Sequence, residues 1–140
     1  MSTLVLELRQ GDLMVVNGAP LRFRTRARLE LTAHARFLFG KQIMAPEQAD
    51  SPARRLYFAL QCAYIGTDEE RPRGLAAARE FGAAFKAATS SPLARDIIDR
   101  ALGAAETDDC YQALKLARRI MRHEDDVLGR AADNRGQEVS

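Results

Sequence analysis

Arg22, Arg24 and Arg26 alternate with Leu21, Phe23 and Thr25. On a β-strand successive side chains face opposite ways, so this spacing would aim three guanidinium groups from one face, about 6.6–6.8 Å apart. A row at that pitch can follow successive phosphates of a single nucleic-acid strand through charge-assisted hydrogen bonds. Arg28, Arg36 and Lys41 extend the basic run. Phe23 falls on the other face, with the core. The row therefore lacks the aromatic interleaving that many single-strand binders use to stack bases. It favours a clamp on the backbone over base readout. The competing reading is an edge strand guarded by charge against sheet-to-sheet pairing.

A second basic pair stands at Arg54-Arg55, after Asp50-Ser51-Pro52. Asp or Ser caps free backbone N–H groups, and proline fits the first helical turn, so a helix is predicted from Pro52. Both arginines then lie where the helix macrodipole disfavours positive charge. They require an anionic partner, either internal (Asp50 or Glu47) or external, a phosphate or another protein's carboxylate. Further along, Arg118, Arg119 and Arg122 precede Glu124-Asp125-Asp126. Pairs such as Arg122 with Asp126 would be ordinary helix-surface ion pairs, with a protein-binding face as the alternative.

Other chemistries find little support. His34 and His123 are far apart and lack further ligands at metal spacing. Gly40-Lys41 lacks the preceding glycine and following hydroxyl of a phosphate-binding loop, and no nucleophile elbow or paired-cysteine site occurs. No metal, cofactor or catalytic activity is expected. Cys62 and Cys110 each fall on an apolar helix side, which fits free buried thiols in a reducing compartment. No signal peptide and no membrane-length apolar run is visible, so a cytoplasmic protein is predicted.

The 140 residues are 46% hydrophobic and 29% charged, with net charge +2, a composition that can fill a core. The charge is uneven. Residues 1–60 hold nine Lys and Arg against five Asp and Glu, and residues 61–140 twelve against fourteen. The basic excess thus belongs to the half that reads as sheet. There Leu4, Leu6 and Leu8 alternate with polar or exposed positions, and Leu13–Val16 runs into Asn17-Gly18, a type I′ hairpin signal. The return strand is predicted over Leu21–Arg26, a further strand from Arg28, and another at Arg36–Phe39. Four or five short antiparallel strands follow, over residues 1–45. Val5 and the open strand edges could pair with a second copy.

Residues 50–128 read as four helices. The first carries one uncharged polar residue, Gln61, between Leu56 and Ile65, so it is buried. Thr67 with Glu70 forms a capping box for the second, whose apolar stripe is Ala78, Phe81, Phe85 and Ala88. Ser91-Pro92 starts the third, with Ile97, Ile98, Ala101 and Leu102 inward. Thr107-Asp108-Asp109 starts the fourth, with the stripe Cys110, Ala113, Leu114, Ala117, Ile120 and Met121. Residues 129–140 lack periodicity and read as a flexible tail. The fold class is α+β: a small N-terminal antiparallel sheet or sandwich packed on a four-helix, bundle-like half as one compact unit.

The stretch Ala35–Ile65 resembles the FlbT family, post-transcriptional regulators of flagellin synthesis in alphaproteobacteria. The resemblance rests on Ala35-Arg36-Phe37-Leu38, Gly40-Lys41, Ile43-Met44, Ala49-Asp50, Pro52-Ala53-Arg54-Arg55, Tyr57-Phe58-Ala59, Gln61 and Ala63-Tyr64. Asn17-Gly18 fits as well, as does Tyr111 with Ala113–Arg119. It implies a repressor that binds the 5′ untranslated region of flagellin mRNA and lowers its translation and lifetime. It also implies a link to the regulator FlaF and to flagellin, and it leaves the sign of regulation open. It assigns no RNA-contacting residue. An adaptor acting through FlaF or flagellin without touching RNA is the alternative.

Overall fold

The structure, a computed structural model, describes residues 4–32 and 35–139, and side chains as far as Leu128. His34 lies outside the described residues. Five short strands come first: β1 (Leu4–Leu8), β2 (Leu13–Val16), β3 (Ala19–Arg22), β4 (Ala27–Leu31) and β5 (Phe37–Phe39). Two 3₁₀ turns, Gly40–Gln42 and Pro46–Gln48, lead to the helices α1 (Pro52–Ile65), α2 (Glu70–Ala88), α3 (Pro92–Glu106) and α4 (Cys110–Val139). The α+β class read from the sequence is the one observed.

The strands form two antiparallel sheets, β1-β4 and β3-β2-β5. Asn17 and Gly18 take φ values of 49° and 87°, the positive pair a type I′ turn needs. The β2-β5 register pairs Met14 with Phe39, Val15 with Leu38 and Val16 with Phe37. Strand alternation then splits the sheet's two faces between two cores. Met14, Val16, Phe37 and Phe39 pack with Leu6, Leu8, Leu29 and Leu31 of the β1-β4 sheet. Val15 and Leu38 pack into the helical core, around Leu56, Leu60, Ile98 and Ile120. The β3-β2-β5 sheet is therefore a middle layer between the β1-β4 pair and the helices.

The return strand ends earlier than predicted. β3 stops at Arg22, because Phe23 hydrogen-bonds to the Gly11-Asp12 turn (Phe23 N to Asp12 O, 2.9 Å) and the chain then bends to reach the other sheet. Periodicity over Leu21–Arg26 could not register that switch of sheets.

The helices start where capping chemistry places them. Ser51 accepts from Arg54 N at the start of α1, and Ser91 from Ala94 N at the start of α3. Thr67 and Glu70 exchange backbone-to-side-chain bonds at 3.0 and 3.2 Å, so the capping box starts α2. The stripe predicted for α2 holds at Ala78, which is buried, and at Phe85, which packs half-buried against the helical core, but not at Phe81 and Ala88. The buried positions of α2 are Gly74, Ala78 and Gly82, whereas Phe81 is 36% exposed and Ala88 is exposed. Small residues let α2 approach α1 so closely that backbone contact replaces aromatic packing. The backbone of α4 is helical through Val139, over a stretch that carries no apolar period. Helix formation there needs no apolar period, only continuation from a helix already nucleated.

Candidate functional site

The join between sheet and helices is built by a polar stripe along α1. Arg54, Tyr57, Gln61 and Tyr64 recur every three or four residues and so share one helix face. Each holds a neighbouring segment. Gln61 is buried, accepts from Met44 N at 2.8 Å and donates to Met44 O at 2.9 Å. Its amide replaces the strand partner that Met44 lacks. Tyr57 donates to the Gln42 carbonyl at 2.6 Å. Tyr64 accepts from Phe37 N at 3.4 Å, and burial, its largest influence, pushes its phenol above the ordinary range.

Arg36 belongs to this join. Its side chain donates from Nε to the Tyr64 carbonyl at 3.0 Å, and its backbone exchanges bonds with Asn17. It satisfies one of the carbonyls left open at the end of α1. The Asn17-Gly18 turn abuts the same helix end, where a Cβ on Gly18 would lie 3.3 Å from Gly66 O. Arg36 is thus half-buried at the end of β5 remote from Lys41 and does not extend the basic row.

Arg54 has an internal partner, but not in the loop. Its guanidinium reaches Glu124 at 3.5 Å and Asp125 at 2.9 Å, both on α4. The Glu124 carboxylate is buried, accepts from the Ser51 hydroxyl, and accepts from Ala53 N at 3.0 Å. An acid supplied by α4 therefore answers the α1 macrodipole that two first-turn arginines would otherwise oppose. Arg55 is exposed and makes no ion pair among the described residues. The ion pair expected between Arg122 and Asp126 is absent among the described residues too.

The predicted arginine row does not form. Arg22 ends β3 and donates from Nη1 to the Gly11 carbonyl at 3.0 Å. Arg24 and Arg26 lie in the bend between sheets, and Arg28 lies on β4 opposite Glu7. All four are exposed. They form a basic corner instead of a strand face. The sheet register still brings this corner toward Lys41. Arg22 pairs with Leu13 at one end of β2, and Phe39, two residues before Lys41, pairs with Met14 beside it. Strands β3 and β5 both run antiparallel to β2, so both deliver their last residues to the same end. Two strand spacings, roughly 9–10 Å, separate them there.

Beyond Lys41 lies a cleft of about 400 Å³ between the Lys41–Gln48 loop, α1 and α4. Lys41, Arg54, Arg118 and Arg122 line it with one carboxylate, Asp125, and its apolar walls include Ile43, Met44 and Met121. Arg118 stands over the Tyr57 ring, 5.7 Å from its centroid, with Nη2 3.4 Å from the hydroxyl. Gln42 O, Tyr57 Oη and Arg118 thus form a chain that holds one guanidinium in place. No group of side chains suited to a metal ion occurs among the described residues. Burial, the largest influence on each, raises both thiols, Cys62 and Cys110, above the ordinary value. Neither is activated for nucleophilic chemistry.

The family profile described as "Flagellar protein FlbT" matches residues 4–128. The chain belongs to the FlbT family. A relative from Mesorhizobium japonicum, named a probable flagellum biosynthesis repressor protein FlbT, is 30% identical over 138 residues, 91% of each chain. One of the same name from a Chelativorans strain is 25% identical, covering 91% of this chain and 87% of its own. A third, from Brucella ovis, is 42% identical over 60 residues, 43% of this chain and 40% of its own. No solved structure matches.

For this FlbT-family chain, sequence reasoning missed Glu124, Tyr57 and the Arg118–Arg122 wall. Gln61 did carry a signal, as the lone polar residue in an otherwise apolar run. Arg54-Arg55 showed that an acid was needed, but nothing local pointed seventy residues onward to Glu124.

Proposed function

We propose that this protein regulates flagellum biosynthesis after transcription, binding the 5′ untranslated region of flagellin mRNA and repressing its translation while hastening its decay. Membership of a family whose relatives are named flagellum biosynthesis repressors supports the regulatory role. The observation that carries the RNA reading is the shared sheet end. Arg22, Arg24, Arg26 and Arg28 arrive there from one side and Lys41 from the other. Exposed cations that make no ion pair among the described residues attract phosphate at low desolvation cost. The protein holds the RNA backbone and blocks the ribosome by occupancy. No catalytic step is required of it, and its setting is the cytoplasm, where the message is.

A second reading has its own observation. Phe81, Val127 and Leu128 are exposed and line one groove of about 770 Å³ between α2 and α4. Such a groove suits a protein partner, FlaF or flagellin, acting in place of direct RNA contact.

Titration of the purified protein with a labelled flagellin leader, across a salt series and beside an unrelated leader, separates the two. Direct binding predicts log affinity falling with log salt by roughly 0.7 per phosphate neutralised. Arg24→Ala/Arg26→Ala/Arg28→Ala should lower affinity about tenfold or more and flatten that slope by roughly two units. No salt-sensitive binding, with FlaF or flagellin retained by the protein, would decide for the adaptor.

A further inference from the structure

We infer that the cleft between the Lys41–Gln48 loop and α4 is a pocket for one nucleoside phosphate. Arg54 lines it but is neutralised by Glu124 and Asp125. Lys41, Arg118 and Arg122 remain, from two separate elements, with no ion-pair partner among the described residues. An isolated surface would let such cations diverge into solvent. Here Arg118 is held over Tyr57 by ring and hydroxyl, and that hydroxyl is held by the Gln42 carbonyl. An arginine fixed before its ligand arrives loses little freedom on binding. The opposite character lies beside it. Ile43 and Met121 are half-buried and Met44 is buried, so the wall behind the cations is apolar and rich in thioether. Thioethers make favourable contacts with aromatic rings and adapt to their shape.

A ligand satisfying both parts carries an anionic group next to a flat, weakly polar body. A nucleotide does, with phosphate on Lys41, Arg118 and Arg122 and base against the methionines. A volume of about 400 Å³ admits one nucleotide and not a folded RNA element. A bare phosphate would leave the apolar wall unused, and a fatty chain would leave two cations unanswered. The same chemistry arises from one nucleotide of a bound RNA strand or from a free mononucleotide. In the first case the pocket extends the proposed RNA path beyond the Arg22–Arg28 corner and rests on that reading; in the second it stands without it.

The test uses the full chain, with 5′-AMP, 5′-GMP, 5′-CMP and 5′-UMP, the matching nucleosides and inorganic phosphate as probes, followed by calorimetry and methionine methyl NMR. Wild type should bind at least one mononucleotide, with shifts at Met44 and Met121, and bind its nucleoside and phosphate at least about tenfold more weakly. Lys41→Glu/Arg122→Glu should lose that binding while keeping its thermal midpoint, since neither residue holds another element. Arg100→Glu, remote on α3, is the control. If Arg122→Glu alone, which leaves Lys41 of the proposed RNA path in place, also weakens flagellin-leader binding about tenfold, the ligand is a nucleotide of the strand. If leader binding is unchanged or absent while a mononucleotide binds, the ligand is free nucleotide. The pocket is overturned if no mononucleotide shifts either methionine at millimolar concentration and Arg122→Glu alone leaves leader binding intact. Leader binding lost only in the Arg24/Arg26/Arg28 variant would then still uphold the RNA reading. If neither leader nor mononucleotide binds, both fall.

Discussion

Gln61 shows how much one buried side chain can decide. Its amide takes both backbone groups of Met44, one donor and one acceptor, inside the core. Removing it orphans both, and each unsatisfied buried group costs ~1–3 kcal/mol. Gln61→Leu should therefore destabilise the protein by about 2–4 kcal/mol, seen as a lower urea midpoint at unchanged slope. The same change should loosen the Lys41–Gln48 loop that walls the cleft. Glu124 is its counterpart at the start of α1, where it answers Arg54, Ser51 and Ala53 N together. Gln61 was legible as a polar intruder in an apolar run. Glu124 was not, because a buried acid at the end of a charged stretch looks like any exposed one.

Among the elements, the packing of α1 against α2 depends on glycine at one position. A Cβ on Gly74 would sit 2.6 Å from Ala63 N and 2.8 Å from Ala59 O. Both are backbone atoms of α1 and cannot give way without moving the helix. A Cβ on Gly103 of α3 would meet nothing within 4 Å. The same substitution should thus have opposite signs. Gly74→Ala should destabilise by about 1–3 kcal/mol, overpacking outweighing better helix propensity. Gly103→Ala should stabilise by about 0.5–1 kcal/mol. Thermal or denaturant unfolding of the two variants reads both. The reading of Phe81 as an inward residue of α2 went astray for the same reason. Hydrophobicity marks large side chains as inward, while a close helix crossing selects small ones. Helix starts were well marked in the sequence, since a cap is local chemistry. The end of β3 was not, since the switch to the other sheet depends on Phe23 meeting the Gly11-Asp12 turn.

For the molecule as a whole, stability should fall at both ends of the pH scale. Hydrogen bonds from Thr67 hold Glu70 below the ordinary carboxylate value, and Arg79 does the same for Glu106. A depressed folded pKa contributes stability above the unfolded value of 4.5, and that contribution is lost as pH falls through the folded value. Both groups are fully exposed, so the effect is one of direction. Glu70→Gln/Glu106→Gln should unfold at lower temperature than wild type at pH 7, with the gap closing toward pH 3. At the alkaline end, burial raises Cys62 and Cys110 above the ordinary 9.0. The unfolded chain ionises first, so their contribution, intact below pH 9, is lost as pH rises through the folded values.

The sequence by itself determined the class, the helix starts, the Asn17-Gly18 hairpin and the buried character of α1. Each rests on caps, turn conformation or periodicity within a few residues. Tertiary structure alone decided which charges are free. Arg36 and Arg54 resembled Arg22 and Lys41 in the sequence, yet one caps the end of α1 and the other pairs with α4. Arg118 and Arg122 read as an ordinary helix surface, yet they face Lys41 across a cleft. Whether a cation is structural or available depends on what lies within a few ångströms of it. For residues seventy positions apart, only the packing of α4 on α1 sets that distance.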